Sequence, residues 1–127
     1  MVISDAMRDS LVQLDKSIQA VENKLATMPC GLDAEVFLTS RSDAENNLYS
    51  KIGAVKSRTS GKVRVYFTEG HEHYDDCETT PITNLRAVVR FQVASRLPEL
   101  IERARTMEEE ISADMAKCAK SLMDLVS

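Results

Sequence analysis

Apolar residues in the last third of the chain recur at Leu97, Leu100, Ala104, Met107, Ile111, Met115, Cys118, Leu122 and Leu125. The steps alternate between three and four, with one repeated four at Ile111–Met115. This is the period of a helix with a narrow apolar seam and a single stutter. Pro98 lies near its start, where a missing N–H is tolerated. A second seam runs through Ile3, Met7, Leu11, Leu14, Ile18, Val21, Leu25 and Met28, with Ser4 or Asp5 as cap and Pro29 and Gly31 as stop signals. At ~1.5 Å per residue the two helices reach about 39 Å and about 45 Å. Their matching lengths predict that they pack together as an antiparallel coiled coil, within one chain or between two.

The intervening segment changes period. Ala34–Thr39 is short and β-prone, and Ser42-Asp43-Ala44-Glu45 resembles a capping box. Leu48–Lys56 alternates loosely and Lys62–Thr68 cleanly, with Val63, Val65 and Phe67 on one face. Ser57–Gly61 between them has turn composition, so the pair predicts a β-hairpin. Two strands are marginal alone. Glu69–Thr80 reads as a polar loop. Thr80-Pro81 then reads as a helix start. Residues 85–94 fit either a helix or a strand, and the helix is preferred because its stripe runs into the C-terminal seam. The expectation is one α+β domain over 1–127, mostly helical. It has an N-terminal helix over 3–28, a small β region over 34–68, and a long helix over 81–126 kinked near Pro98.

Composition narrows the function classes. The 127 residues are 43% hydrophobic with 5% aromatics, no Trp and six Met, which suits a helical aliphatic core. The net charge of −4, from 16 basic and 20 acidic side chains, argues against general nucleic-acid binding and is too mild for a DNA mimic. Cys30, Cys77 and Cys118 are widely spaced and odd in number, as expected of reduced thiols in a cytoplasm. No apolar run approaches the ~20 residues of a membrane helix, and no secretory pattern opens the sequence.

Two stretches carry candidate chemistry. Both histidines lie in Glu69–Glu78, where His71, His73 and Cys77 offer zinc-type ligands or a Cys–His pair, without a second ligand pair at a recognised spacing. We therefore assign no metal, no cofactor and no catalytic residue. The hairpin carries Lys51, Lys56, Arg58, Lys62 and Arg64 with no acid between them. The next stretch carries Glu69, Glu72, Asp75, Asp76 and Glu78 with no Lys or Arg. The five bases together with Glu72, Asp75 and Asp76 form a candidate interaction surface. The basic hairpin, with Tyr49 and Tyr66, is also a candidate for phosphates and bases.

Two resemblances add to this. The helix–hairpin–helix layout with two heptad seams resembles prefoldin subunits over the whole chain. Gly61-Lys62-Val63-Arg64-Val65, Thr80-Pro81-Ile82 and Leu97-Pro98-Glu99-Leu100-Ile101 resemble motifs of small phage and prophage proteins, with Val63 where an aromatic is usual. The phage resemblance implies a mobile-element accessory protein. We expect a non-enzymatic, homodimeric, cytoplasmic interaction module that binds and modulates, by inhibiting it, a host protein or defence complex. The alternatives are a nucleic-acid-binding accessory protein and a prefoldin-like chaperone.

Overall fold

A computed structural model describes residues 4–73 and 77–127. The chain runs α1 (Asp5–Thr27), β1 (Glu35–Phe37), α2 (Arg41–Glu45), β2 (Leu48–Lys56), β3 (Val63–His71), β4 (Cys77–Pro81), a 3-10 turn (Ile82–Asn84), α3 (Ala87–Ala94) and α4 (Leu97–Val126). The four strands form one antiparallel sheet in the order β1-β2-β3-β4.

Local chemistry sets the ends of the elements. The Ser4 side chain accepts a hydrogen bond from the Met7 N–H and caps α1. Ile3 lies outside the described residues. At the other end the chain turns back through Met28–Ala34 so tightly that a Cβ on Gly31 would lie 1.9 Å from the Leu25 carbonyl oxygen. Ser40, two residues before the capping-box Ser42, caps α2 by accepting from the Asp43 N–H. The β2–β3 hairpin closes at Ser57–Gly61, where Gly61 takes a φ of 70°. Within the ladder Ile52 faces Phe67 and Ala54 faces Val65. This register puts Ile52, Ala54, Val63, Val65 and Phe67 on one face of the sheet.

That face meets α1 and the first turns of α4. Ile18 and Leu25 of α1, Ile52, Ala54 and Val65 of the sheet, Ile82, and Val93, Leu97, Leu100 and Ala104 of the C-terminal helices form one buried cluster. The architecture is therefore two layers, helices over one sheet face. Glu22 joins this cluster at 7% exposure and answers the β3 main chain: its carboxylate accepts the Val65 N–H at 2.7 Å.

The two long helices are not zipped into a coiled coil, which corrects the expectation from their seams. The fold is α+β, but α1 has only 23 residues and its buried side chains Ile18, Glu22 and Leu25 lie on the sheet. A four-stranded sheet stands in the chain between α1 and the helical arm of α3 and α4. An apolar seam states that a helix face needs cover without naming the cover, and here the hairpin's apolar face supplied it. Only the first part of the α4 seam is buried. From Ile111 onward every residue of α4 is exposed. Three boundaries also differ. The helix expected from Pro81 starts at Ala87, because Pro81 ends β4 and the 3-10 turn follows. Part of the expected polar loop is strand, since β3 runs to His71 and β4 pairs with it. The break in the C-terminal helix falls at Ser95–Arg96, and Pro98 sits in the first turn of α4.

Candidate interaction surfaces

Among the described residues, Glu72 lies apart from the bases at the hairpin turn. Lys56, Arg58 and Lys62 surround the hairpin turn, while Glu72 follows the far end of β3. The nine-residue strands, at ~3.3 Å per residue, place these ends roughly 26 Å apart. Lys51 lies midway along β2 and is ion-paired with Glu35 of β1 at 3.2 Å. The Arg64 guanidinium donates to the Thr83 hydroxyl at 2.9 Å. The Glu72 main-chain N–H donates to the Asn47 carbonyl at 2.8 Å. Asp75 and Asp76 lie outside the described residues. Of the six described residues of the expected surface, Lys56, Arg58 and Lys62 sit at the turn and Glu72 at the far end, with Lys51 and Arg64 tied to neighbours.

His71 and Cys77 point to opposite faces of the sheet. His71 pairs with Leu48 on the face of Ile52, whereas Cys77 pairs with Gly70 on the other. The His71 Nδ1 accepts the His73 main-chain N–H at 3.1 Å. Among the described residues no group of three His, Cys, Asp or Glu side chains converges as a metal site would. Cys30 is buried, and its thiol pKa is pushed up by desolvation, then by the charges of Asp33 and Glu108. Such a thiol stays protonated and is a poor nucleophile. Burial likewise raises the Glu22 carboxyl, opposed by the Val65 hydrogen bond and the Arg64 charge.

The helix layer carries an apolar cleft that sequence reasoning missed. The exposed side of α1 contributes Met7, Leu11 and Leu14, and α3 contributes Ala87, Val88 and Phe91, enclosing about 490 Å³. Val88 and Phe91 are 65% and 64% exposed, large for apolar residues on a short helix. A salt bridge fixes the two walls: Arg90 of α3 reaches Asp15 of α1 at 3.1 Å and donates to the Leu85 carbonyl at 2.9 Å. A neighbouring depression of about 470 Å³ continues the cleft past Val21 to Pro98 and Ile101. The sequence signal was present in the double reading of 85–94. Leu85, Val89 and Val93 were enough for the core, which left Val88 and Phe91 without a role.

The uncovered face of the sheet is the other surface. Phe37, Tyr49, Lys51, Val55, Arg64 and Tyr66 share it by register. The Tyr49 ring lies across Gly70, where a Cβ would stand 2.6 Å from the phenol oxygen. No protein family, no characterised protein and no solved structure matches this chain. Among the described residues no helix is long and apolar enough to cross a membrane.

Proposed function

We propose that this protein is a non-enzymatic protein-interaction module of the cytoplasm, and that the cleft between α1 and α3 receives an amphipathic helix of its partner. The observation that carries this reading is the exposure of Val88 and Phe91 opposite Met7 and Leu11 in a cleft whose walls are clamped by Arg90 and Asp15. A groove lined by aliphatic, Met and Phe side chains recognises apolar anchors spaced at helical intervals. The phage-like motifs support a host protein as that partner, bound and modulated by a small accessory protein. The likeness to prefoldin subunits loses its support, because it rested on two helices zipped along their length.

The test is site-specific photo-crosslinking in the native cell with a benzophenone side chain at position 88, and at Arg103 as the control. The expected outcome is a discrete protein adduct from position 88, heavier than two copies of the chain, that disappears with Phe91→Asp. Absence of a position-88 adduct, or an adduct of two copies only, would reject this reading.

A second reading has its own observation. The open sheet face brings Phe37, Tyr49 and Tyr66 beside Lys51 and Arg64, the mixture of rings and cations that holds single-stranded nucleic acid. Fluorescence anisotropy with a single-stranded oligonucleotide distinguishes it. Tight binding that weakens steeply with salt supports the nucleic-acid reading, and weak binding with no salt dependence removes it.

A further inference from the structure

Among the described residues, every residue of the distal half of α4, from Ile111 on, is exposed. Its apolar stripe continues the face that carries Leu97, Leu100 and Ala104 in the core, through Met107 at the rim, and then runs on in solvent. Met115 is 65% exposed, Leu122 57% and Leu125 79%. An isolated helix of this length is marginal in water, and a seam of Ile, Met and Leu at three-four spacing is what a second helix covers.

We propose that a second copy of this chain covers it, with the two α4 segments from Met107 to Val126 paired antiparallel about a twofold axis near Ala116 and Lys117. Three observations select this occupant and this direction. Between Ile111 and Leu122 the seam reads the same in both directions about that axis: Ile111 meets Leu122 of the second copy, Met115 meets its Cys118, and each relation recurs by symmetry. Charge is graded along the helix. Residues 108–114 hold Glu108, Glu109, Glu110 and Asp114 with no base, and residues 115–126 hold Lys117 and Lys120 with Asp124 as their one acid.

Antiparallel pairing sets Asp114 beside Lys117 of the second copy on the same flank of the seam, and Lys117 beside its Asp114 by symmetry. Parallel pairing sets acids against acids. Finally, the folded bodies stay apart. Ala104, where α4 leaves the core, lies ~19 Å from the axis at 1.5 Å per residue, so the two bodies sit at opposite ends of the paired helices. Both clefts remain open.

This deepens the interaction reading by naming one partner, and it uses a surface apart from the Val88 cleft. Failure at position 88 and failure at α4 are therefore read separately. The test uses the full chain with Cys77→Ser and Cys118→Ser, carrying either Ile111→Cys or Leu122→Cys, under mild oxidation. The expected result is a disulfide-linked dimer when the two variants are mixed and none from either alone. Light scattering of the unmodified chain should give two copies, and Leu122→Glu should reduce this to one copy with a near-unchanged melting transition, because the site lies outside the core. Crosslinks within each variant alone would show parallel pairing and overturn the proposal. A single-copy mass with no crosslink would overturn it as well.

Discussion

The Glu22 carboxylate of α1 accepts the main-chain N–H of Val65 in β3 at 2.7 Å, across 43 residues of sequence. The β4 pairing ends at Tyr66, so Val65 is the first residue of β3 beyond its neighbour strand. An unpaired N–H buried there would cost about 1–3 kcal/mol. A helix side chain supplies the acceptor, and the expense is a desolvated carboxylate with a raised pKa.

The sign of the pH dependence follows. A raised folded pKa means that the folded state takes up the Glu22 proton before the unfolded state does. The stability associated with that proton is fully present below the ordinary glutamate range and is lost as pH rises through the raised value. Against Glu22→Gln, which keeps the acceptor without the charge, the native chain should gain in melting temperature as pH falls from neutrality toward 4. Glu22→Ala, which leaves the N–H unanswered, should be less stable than Glu22→Gln at every pH. Parallel melting curves for the native and Gln proteins across this range would show that the carboxylate is not strained by burial.

Gly31 is required by close approach. Its absent Cβ would stand 1.9 Å from the Leu25 carbonyl oxygen, a backbone atom that cannot swing aside. Gly31→Ala should therefore cost about 3 kcal/mol or more, at the upper end of overpacking. Gly53→Ala is the control, because its nearest neighbour is at 3.4 Å. Urea midpoints of the two variants check this, and equal midpoints would contradict it.

Glu69 and Glu78 face each other across β3 and β4. Like charges directly opposite destabilise a ladder. Glu78→Lys should stabilise the fold by about 0.2–1 kcal/mol, and the gain should shrink in high salt. Thermal melts at two ionic strengths measure both effects.

Much of the fold could be read where local chemistry decides it. Ser4 and Gly31 bound α1, and the alternation at Val63, Val65 and Phe67 marks the central strand. Strand β4 was hidden, because Cys77-Glu78-Thr79-Thr80-Pro81 shows no apolar alternation and exists by pairing with β3. The partner of each seam was hidden for a related reason. Periodicity reports that a face is buried and is silent on what buries it. Glu22 illustrates the point: a charged residue next to Val21 of the seam, it carries no sequence sign of burial, yet it is 7% exposed. Its acceptor role depended on where β4 stops. The spread of the candidate surface was not legible either, since Lys62 stands just before β3 and Glu72 just beyond its end, and the strand's length lies between them.

Arg90 holds the proposed cleft together, and its loss should be felt in stability and in binding. Its side chain is only 16% exposed, and the guanidinium bonds both Asp15 oxygens at 3.1 Å and caps the Leu85 carbonyl through Nε and a second terminal nitrogen. This fork joins α3 to α1 and closes the turn before α3 in one contact. Lysine cannot reproduce it, because a single ammonium lacks the planar donors. Arg90→Ala should cost about 1.5–3 kcal/mol, as expected for part-buried bonds to a charged group, with Arg90→Lys close behind. Asp15→Asn should cost less, since Asp15 is 41% exposed and the Leu85 bonds survive. A double-mutant cycle should return a coupling of about 1 kcal/mol between the two positions. If the cleft is the binding site, Arg90→Lys at a temperature where the chain remains folded should also weaken the position-88 crosslink, because α3 is no longer held against Leu11 and Leu14. A full-strength crosslink in a destabilised Arg90→Lys protein would separate the clamp from the partner site.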